Sequence, residues 1–580
     1  MKIPQDWIFE KLKETLSEKF GQTDYIPLVE PCSNPSFGDY QTNIAFLMAG
    51  QLKENPRKLA EEFARIIGEN SVTFYPEVGG NGFINFRVKP KAYLNAFLAI
   101  RSDPRLGIEQ TKEPQTIVID FSSPNIAKEL HVGHLRSTIL GDVLRRLNLF
   151  LGHRVIADNH LGDWGTQFGM VLLGYKKYGN RLALAEKPLE YLEGLYVRIQ
   201  KEAKESERIK EEAKRELQKL QSGDSENLKL WDVFVHASLK ELDKIYQKLN
   251  VKFDYSLGES VYNPMLPGVV EELLQKGIAR YSEGAVCVFF NKDFPALADK
   301  PMIIQKTDGA YLYATTDIAT LLFRLSNWQA QRIIYVTDSR QKLHFQQLFA
   351  LARLLGIDIQ LEHVSFGSIL GEDKKPLKTR EGTSIKLREL LEEAVNRAYQ
   401  IIDEKRKDLS EDRKKEIANA VGIGALKYAD LSQNRILDYI FSWEKLLSLE
   451  GNTAPYLLNA HVRICSILRK AASSGYGSSL GFTSLKFETD TLHPQEIELM
   501  KAVLSFKYSL FLAAKENSPH HLCNYLYNLA KVFHKFYEQC PVLGASTESS
   551  KQLRLAFCDF TQRTLSLGLE LLGIEPLKEM

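Results

Sequence analysis

The chain lacks the features of a membrane-spanning or exported protein. No uninterrupted apolar stretch approaches the about 20 residues needed to cross a bilayer. The opening MKIPQDWIFE holds no apolar run that could form the core of a signal peptide. Cysteine is sparse and scattered: Cys32, Cys287, Cys465, Cys523, Cys540 and Cys558 form no C-x-x-C pair, and no histidine stands at zinc-finger spacing. A disulfide framework and a structural zinc site are therefore not expected, and a reducing compartment, the cytoplasm, fits best. Charge of one sign is also missing. Lys plus Arg is 75 against 73 for Asp plus Glu, a formal net charge of +2. Any polyanionic partner must be held by local basic clusters, not by a broadly cationic surface.

What is present is an ordinary globular balance: 44% apolar, 10% aromatic and 26% charged residues in 580. That length suggests about three to five domains. Residues 1 to about 108 begin with the helical spacing Trp7, Leu12, Leu16 and Phe20 and continue into the run Gly79-Gly80-Asn81-Gly82-Phe83-Ile84-Asn85-Phe86. Mixed signals over such a span predict a small α+β domain. Asp103-Pro104 and Lys112-Glu113-Pro114 read as a linker.

Thr116 to Phe121 (TIVIDF) is a short β-branched run, the pattern of a buried strand. The turn Ser122-Ser123-Pro124-Asn125 follows, then a helix with Val132, Leu135, Ile139, Val143, Leu144 and Leu147 on one face, then a second strand at Arg154 to Ala157. Strand, turn, helix, strand is how a parallel nucleotide-binding sheet begins. The pattern stops in a charged helical stretch from about 183 to 250 and a hairpin at Tyr281 to Phe290. It resumes with strands at Ile333 to Val336 and Leu361 to Phe366. The prediction is one doubly wound sheet over 115–383, split by an insertion at about 173–300. From Ser384 to the end the chain reads as helices, with one Ser/Gly loop at Ser473 to Ser484.

The most informative segment is SSPNIAKELHVGHLRST (122–138). His131 and His134 stand three apart at the start of a helix that follows a buried strand, so their imidazoles share a face. A helix N-terminus attracts phosphate, two imidazole donors there could bond nucleotide oxygens, and Lys128 could add a full positive charge. Gly133 between them would let a base or ribose approach. Taken alone, the same two histidines would more readily cap and pack the helix. Its place between strand and amphipathic helix favours chemistry.

This segment resembles the H-I-G-H region of class I aminoacyl-tRNA synthetases, and of the arginyl-tRNA synthetases in particular. HLGDWGTQFG (160–169), DGAYLYATTDIA (308–319), YVTDSRQKLHFQQLF (335–349), GNTAPYLLNAHVR (451–463) and the ending LGLELLGIEPLKEM resemble that family in order and spacing. The resemblance implies a Rossmann-type catalytic domain, a small N-terminal domain gripping the tRNA elbow, and a C-terminal helical bundle reading the anticodon. It implies activation of L-arginine with ATP and Mg²⁺, without zinc. Transfer to the 2′-hydroxyl of the terminal adenosine of tRNA(Arg) follows, by a monomer with no membrane partner.

The resemblance also assigns residues. Pro124, Asn125, Lys128, His131, Gly133 and His134 match the ATP-binding region, with Lys128, His131 and His134 stabilising charge on the phosphates. The second class signature, K-M-S-K-S, is disrupted: Pro376 and Thr379 stand at its lysine positions, leaving Lys378 and Arg380 nearby as catalytic cations. Asp120, Asn125, Tyr313, Asp317 and Gln341 match the arginine-binding positions. Asp317 is the natural partner of a forked guanidinium, and Tyr313, four residues earlier on a predicted helix, a wall of the same pocket. Asn81, Phe83 and Asn85 with segment 33–43, and Asn452 and Tyr456 at the other end, match tRNA-contacting regions. By composition alone, the C-terminal aromatics serve equally as RNA platforms or as core. Two other readings have distinct signatures: a related synthetase such as the cysteine enzyme would bring a zinc ligand set, and a catalytically silent tRNA-binding paralogue would fit the disrupted second signature.

Overall fold

The computed structural model describes residues 2–20, 27–32, 34–68, 71, 73–290, 293–377, 385–476 and 492–580. The N-terminal unit is a four-stranded antiparallel sheet in the order Glu30–Pro31, Tyr40–Thr42, Phe83–Val88, Phe74–Gly79, backed by helices. Strand Phe83–Val88 sends Ile84, Phe86 and Val88 into the core, the period-2 pattern of a half-buried strand. Gly82 (φ +146°) turns the chain where a Cβ would meet Pro56 at 3.0 Å, so only glycine fits.

The central domain is a five-stranded parallel sheet in the order Gln360–His363, Arg332–Tyr335, Thr116–Asp120, Arg154–Leu161, Tyr255–Gly258. In chain order this is 3-2-1-4-5 read from the Tyr255 edge, the doubly wound arrangement. Ile117, Val118 and Ile119 are wholly buried in the middle strand. The insertion differs from expectation in one respect: Tyr255–Gly258, inside the span 173–300, is an edge strand of the main sheet. Four residues long and largely exposed, it carries no apolar alternation for a sequence to reveal. It is preceded by helices from Arg181 to Lys248 and followed by a three-stranded antiparallel sheet, Ala279–Ser282, Ala285–Val288 and Met302–Gln305.

The C-terminal part is helical, with Leu522, Leu526, Leu529, Phe533 and Phe536 in its core. One departure from an all-helical reading is the two-residue strand Tyr439–Ile440, which pairs in parallel with Ile369–Leu370 of the central domain. The join is reinforced by Arg136, buried in the helix Val132–Phe150. Its Nε lies 3.0 Å from Asp430 Oδ2, and its Nη1 donates to Gly367 O at 2.7 Å. The N-terminal unit docks on the same helices, with the Phe97 and Phe557 rings 4.9 Å apart and Lys507 donating to Asp6 at 2.8 Å. Of the loop expected at Ser473 to Ser484, Ser473 closes the helix Ala454–Ser473, and residues 477–484 lie outside the described residues.

Candidate active site

The site is built at the carboxyl ends of the strands, where doubly wound sheets bind ligands. Tyr335, Asp120 and Asp158 are register neighbours across three strands and form a row. After Asp120 the chain turns through Ser122 (φ +70°) and Ser123 (φ +47°), a left-handed pair unusual for side-chain-bearing residues. The strain is held by side chains. Ser122 N donates to Ser137 Oγ (2.9 Å), which donates to Val336 O (2.6 Å), and Ser123 N donates to Asn159 Oδ1 (3.2 Å). Gly141 completes the join, because a Cβ there would lie 2.1 Å from the Phe121 ring.

His131 is the N-cap of the helix Val132–Phe150. Its Nδ1 accepts from Gly133 N at 3.1 Å, and His134 Nδ1 accepts from His131 N at 3.2 Å, a capping box built from two imidazoles. Accepting at Nδ1 fixes the neutral tautomer, so each ring carries its proton on Nε2. Burial, then the neighbouring His131, pushes the His134 pKa down to about 3. Burial, Arg340 and Lys128 lower that of His131. Both rings are therefore neutral N–H donors at neutral pH. The two functions left open by the sequence are combined: the histidines cap the helix and keep Nε2–H for a ligand. At Gly133 a Cβ would lie 2.8 Å from the His131 ring, so glycine leaves that ring its seat.

Lys128 is half-buried, its Nζ 4.7 Å from the Tyr196 ring centroid, yet its charge reaches His131. Pro124 is buried and its carbonyl accepts from Gly162 N at 3.0 Å. Asn125 rests on Gly162, where a Cβ would lie 2.2 Å from its Oδ1. Lys378 and Arg380, with Thr379, lie outside the described residues. The chain on either side is anchored: Leu377 N donates to Ile369 O (3.0 Å), and Val132 N to Ile385 O (3.0 Å) beside His131.

Helix Tyr313–Trp328 brings the second half of the site. Tyr313, at its start, is 69% exposed, and Asp317 lies one turn on, half-buried beside core Ile318 and Leu321. Asp317 Oδ2 accepts from His344 Nε2 at 2.6 Å. Gln341 closes the exposed turn Ser339–Gln341. At the end of its strand Asp120 is held through both oxygens: its Oδ2 accepts from Arg324 Nη2 at 2.6 Å and its Oδ1 from Ser123 Oγ at 2.8 Å. Expected as a direct substrate carboxylate, it is 7% exposed and already paired.

Four residues here escaped the sequence reading. Glu259, just after the edge strand, is pushed up to about 7 by burial and by the charges of Asp317 and Asp163, with His160 opposing. Its neighbour Ser260 donates through N and Oγ to Asp163 (2.9 and 2.6 Å). His344 follows Gln341 by three residues, a spacing that could have flagged it. Arg340, exposed and paired bidentately with Asp338, adds positive charge near His131. Arg324 sits under the row of strand ends.

The RNA-contact candidates divide. Asn81 and Phe83 are exposed, Phe83 meeting Phe46 at 5.2 Å, whereas Asn85 is 7% exposed and enclosed within its sheet. Asn452 accepts from Tyr428 OH at 2.6 Å and lines a cavity of 490 Å³ with Tyr439, Lys445 and Gly451. Tyr456 is half-buried, its hydroxyl 3.0 Å from His534 Nδ1.

Comparison with known proteins agrees with this layout. The family "tRNA synthetases class I (R), catalytic domain" matches residues 98–443, the DALR anticodon binding domain 457–580, and the arginyl tRNA synthetase N-terminal domain 7–88. Arginine--tRNA ligases of Shigella sonnei and Shigella dysenteriae are 43% and 44% identical, covering 99% of this chain and 100% of their own length. Among solved structures, arginyl-tRNA synthetase of Thermus thermophilus aligns with TM-score 0.85 at 26% identity over 99% of both chains. The Plasmodium falciparum enzyme aligns with TM-score 0.80 at 29% over 100% of both. With a class I catalytic domain covering the strand-end site and such relatives matching end to end, the chain belongs to the arginyl-tRNA synthetases.

Proposed function

We propose a division of labour along the strand ends for the activity of this family: activation of arginine with ATP, then charging of tRNA. The arginine carboxylate attacks the α-phosphorus of ATP, and the bond to pyrophosphate breaks. Nε2–H of His131 and His134 donates to the phosphate oxygens as charge builds there, with Lys128 and Arg340 adding positive field. Mg²⁺ arrives with the triphosphate as part of the substrate. Pro124, Asn125 and Gly133 shape the nucleotide seat. Lys378 and Arg380 are assigned to the leaving pyrophosphate by their place in the sequence.

Asp317 and Glu259 take the guanidinium, Tyr313 walls it, and Asp120, Asn125 and Gln341 hold the α-amino end. A guanidinium is bound by carboxylates, which leaves zinc no chemical task in recognition. In the second step the 2′-hydroxyl of the terminal adenosine of tRNA(Arg) attacks the adenylate carbonyl and AMP leaves. Asn81 and Phe83 contact the elbow, and Asn452 and Tyr456 the anticodon. The enzyme acts as a cytoplasmic monomer; no described helix is long and apolar enough to cross a membrane.

The observation that carries this reading is a row of strand ends, Tyr335, Asp120 and Asp158, with Asp120 followed in the chain by a helix start bearing two neutral imidazole donors, together with Asp317 and Glu259 close enough to feel each other's charge. Charging of bulk tRNA with each amino acid tests it: arginine alone should be transferred. Transfer of another amino acid, or of none, would refute it.

A further inference from the structure

Arg324 lies across the row formed by Tyr335, Asp120 and Asp158. Its Nη2 donates to Asp120 Oδ2 and to Asp158 Oδ2, each at 2.6 Å, and its Nε to Asp158 Oδ2 at 3.2 Å. The guanidinium carbon stands 5.4 Å from the Tyr335 ring centroid, and the whole side chain is 0% exposed. With His160, the two aspartates offer ligand atoms within 4.8 Å of one another, a donor set suited to a cation. The cation held there is Arg324 itself.

Arg324 and Asp317 belong to one helix, seven residues and so about 10.5 Å apart along its axis. A substrate arginine brings two cations, an ammonium and a guanidinium, and this face of the site has two acidic ends. A bare Asp120–Asp158 pair would suit a forked guanidinium as well as Asp317 and Glu259 do. We propose that Arg324 is a positioning residue for arginine recognition. It cancels the charge of Asp158 and clamps Asp120, so one oriented carboxylate faces the substrate ammonium and the guanidinium has a single anionic destination. The role rests on the assignment of Asp317 and Glu259 to the guanidinium.

Burial works to raise the Asp120 carboxyl, but Arg324 outweighs it and holds the group below the usual carboxylate range. Asp158 is pushed up by burial, against the pull of Arg324 and with the charge of Asp120. Without Arg324 the two carboxyls would share a proton and turn towards each other, as close carboxylate pairs do. Asp120 would then lose its orientation although the net charge of the cluster would change little.

Steady-state kinetics on the full-length enzyme with tRNA present tests this. Arg324→Met should raise the KM for arginine about 30-fold and leave the KM for ATP within about threefold. Adding Asp158→Asn removes the surplus carboxylate and supplies an amide donor to Asp120. It should lower the arginine KM at least about fivefold relative to Arg324→Met alone, a coupling that general damage would not produce. Arg324→Lys keeps the charge and provides the measurement if the methionine variant does not fold. Its arginine KM should rise about tenfold, because a point-charge ammonium cannot bridge both aspartates with a fork.

An arginine KM within about threefold of the parent in the methionine or lysine variant, or a double variant no better than Arg324→Met, would overturn the role. Asp317→Ala measured alongside separates two failures. A raised arginine KM there, with unchanged Arg324 variants, overturns the positioning role alone; unchanged values in both overturn the guanidinium assignment.

Discussion

His344 donates its Nε2–H to Asp317 Oδ2 over 2.6 Å, so the carboxylate assigned to the substrate guanidinium already has a partner before arginine binds. Burial works against charge on His344, but the bond to Asp317 outweighs it and raises the imidazole pKa. Glu259, which feels the charge of Asp317, is pushed up to about 7, chiefly by burial. The guanidinium must displace one proton-bearing group and meet another.

Arginine binding should therefore be proton-linked. The substrate guanidinium stays charged throughout. Glu259 ionises as pH rises through about 7, and His344, raised by its bond to Asp317, loses its charge above the ordinary imidazole range. Each change frees negative charge for the substrate, so the KM for arginine should fall with pH while that for ATP stays flat. Glu259→Gln should remove most of the slope near pH 7. An arginine KM that rises with pH in the parent enzyme would contradict the assignment.

Asp317→Ala should raise the arginine KM about 100-fold with the ATP KM within about twofold, since a desolvated carboxylate–guanidinium pair is lost. Equal effects on both substrates, read by ATP–pyrophosphate exchange with tRNA present, would remove Asp317 from the pocket.

The two histidine roles separate by substitution. In His134→Asn an amide oxygen can still accept from His131 N, so the helix start is kept and the Nε2–H donor lost. In His134→Ala both go. Activation should fall about 100-fold in each, whereas only the alanine variant should lose about 1 kcal/mol of stability in chemical denaturation. Because His134 is neutral above a pKa of about 3, its contribution should not titrate between about pH 6 and about pH 8.

Asp430→Ala strands the Arg136 charge at the junction of the central and helical domains. The expected cost is about 3 kcal/mol, seen as a lower unfolding midpoint. An unchanged midpoint would show that Gly367 O and Leu437 O alone satisfy Arg136.

In the N-terminal unit, Phe83→Ala should raise the KM for tRNA about fivefold and leave the arginine KM unchanged. Asn85→Ala should instead act through stability, because that side chain is enclosed.

What the sequence made legible follows from period and length. TIVIDF and the helix after it carry strong apolar patterns, and the sheet around Asp120 matches them. Leu522, Leu526, Leu529, Phe533 and Phe536 likewise declared a helix core. Tyr255–Gly258 was hidden because an exposed four-residue edge strand needs no alternation, and Glu259, which depends on that strand for its place, was hidden with it. Arg324 read as one more charge on an amphipathic helix. Its burial depends on two aspartates, 166 and 204 residues away, that no local pattern connects to it. Asp120 was placed at the correct strand end, but sequence could not show that an internal guanidinium already holds it.

The most direct measurement is ATP–pyrophosphate exchange across all the amino acids with tRNA present, in the parent enzyme and in Asp317→Ala. Exchange supported by arginine alone, with the variant needing far more arginine for the same rate, is the predicted result. Exchange driven by a different amino acid, or an Asp317→Ala enzyme with unaltered demand for arginine, would contradict it.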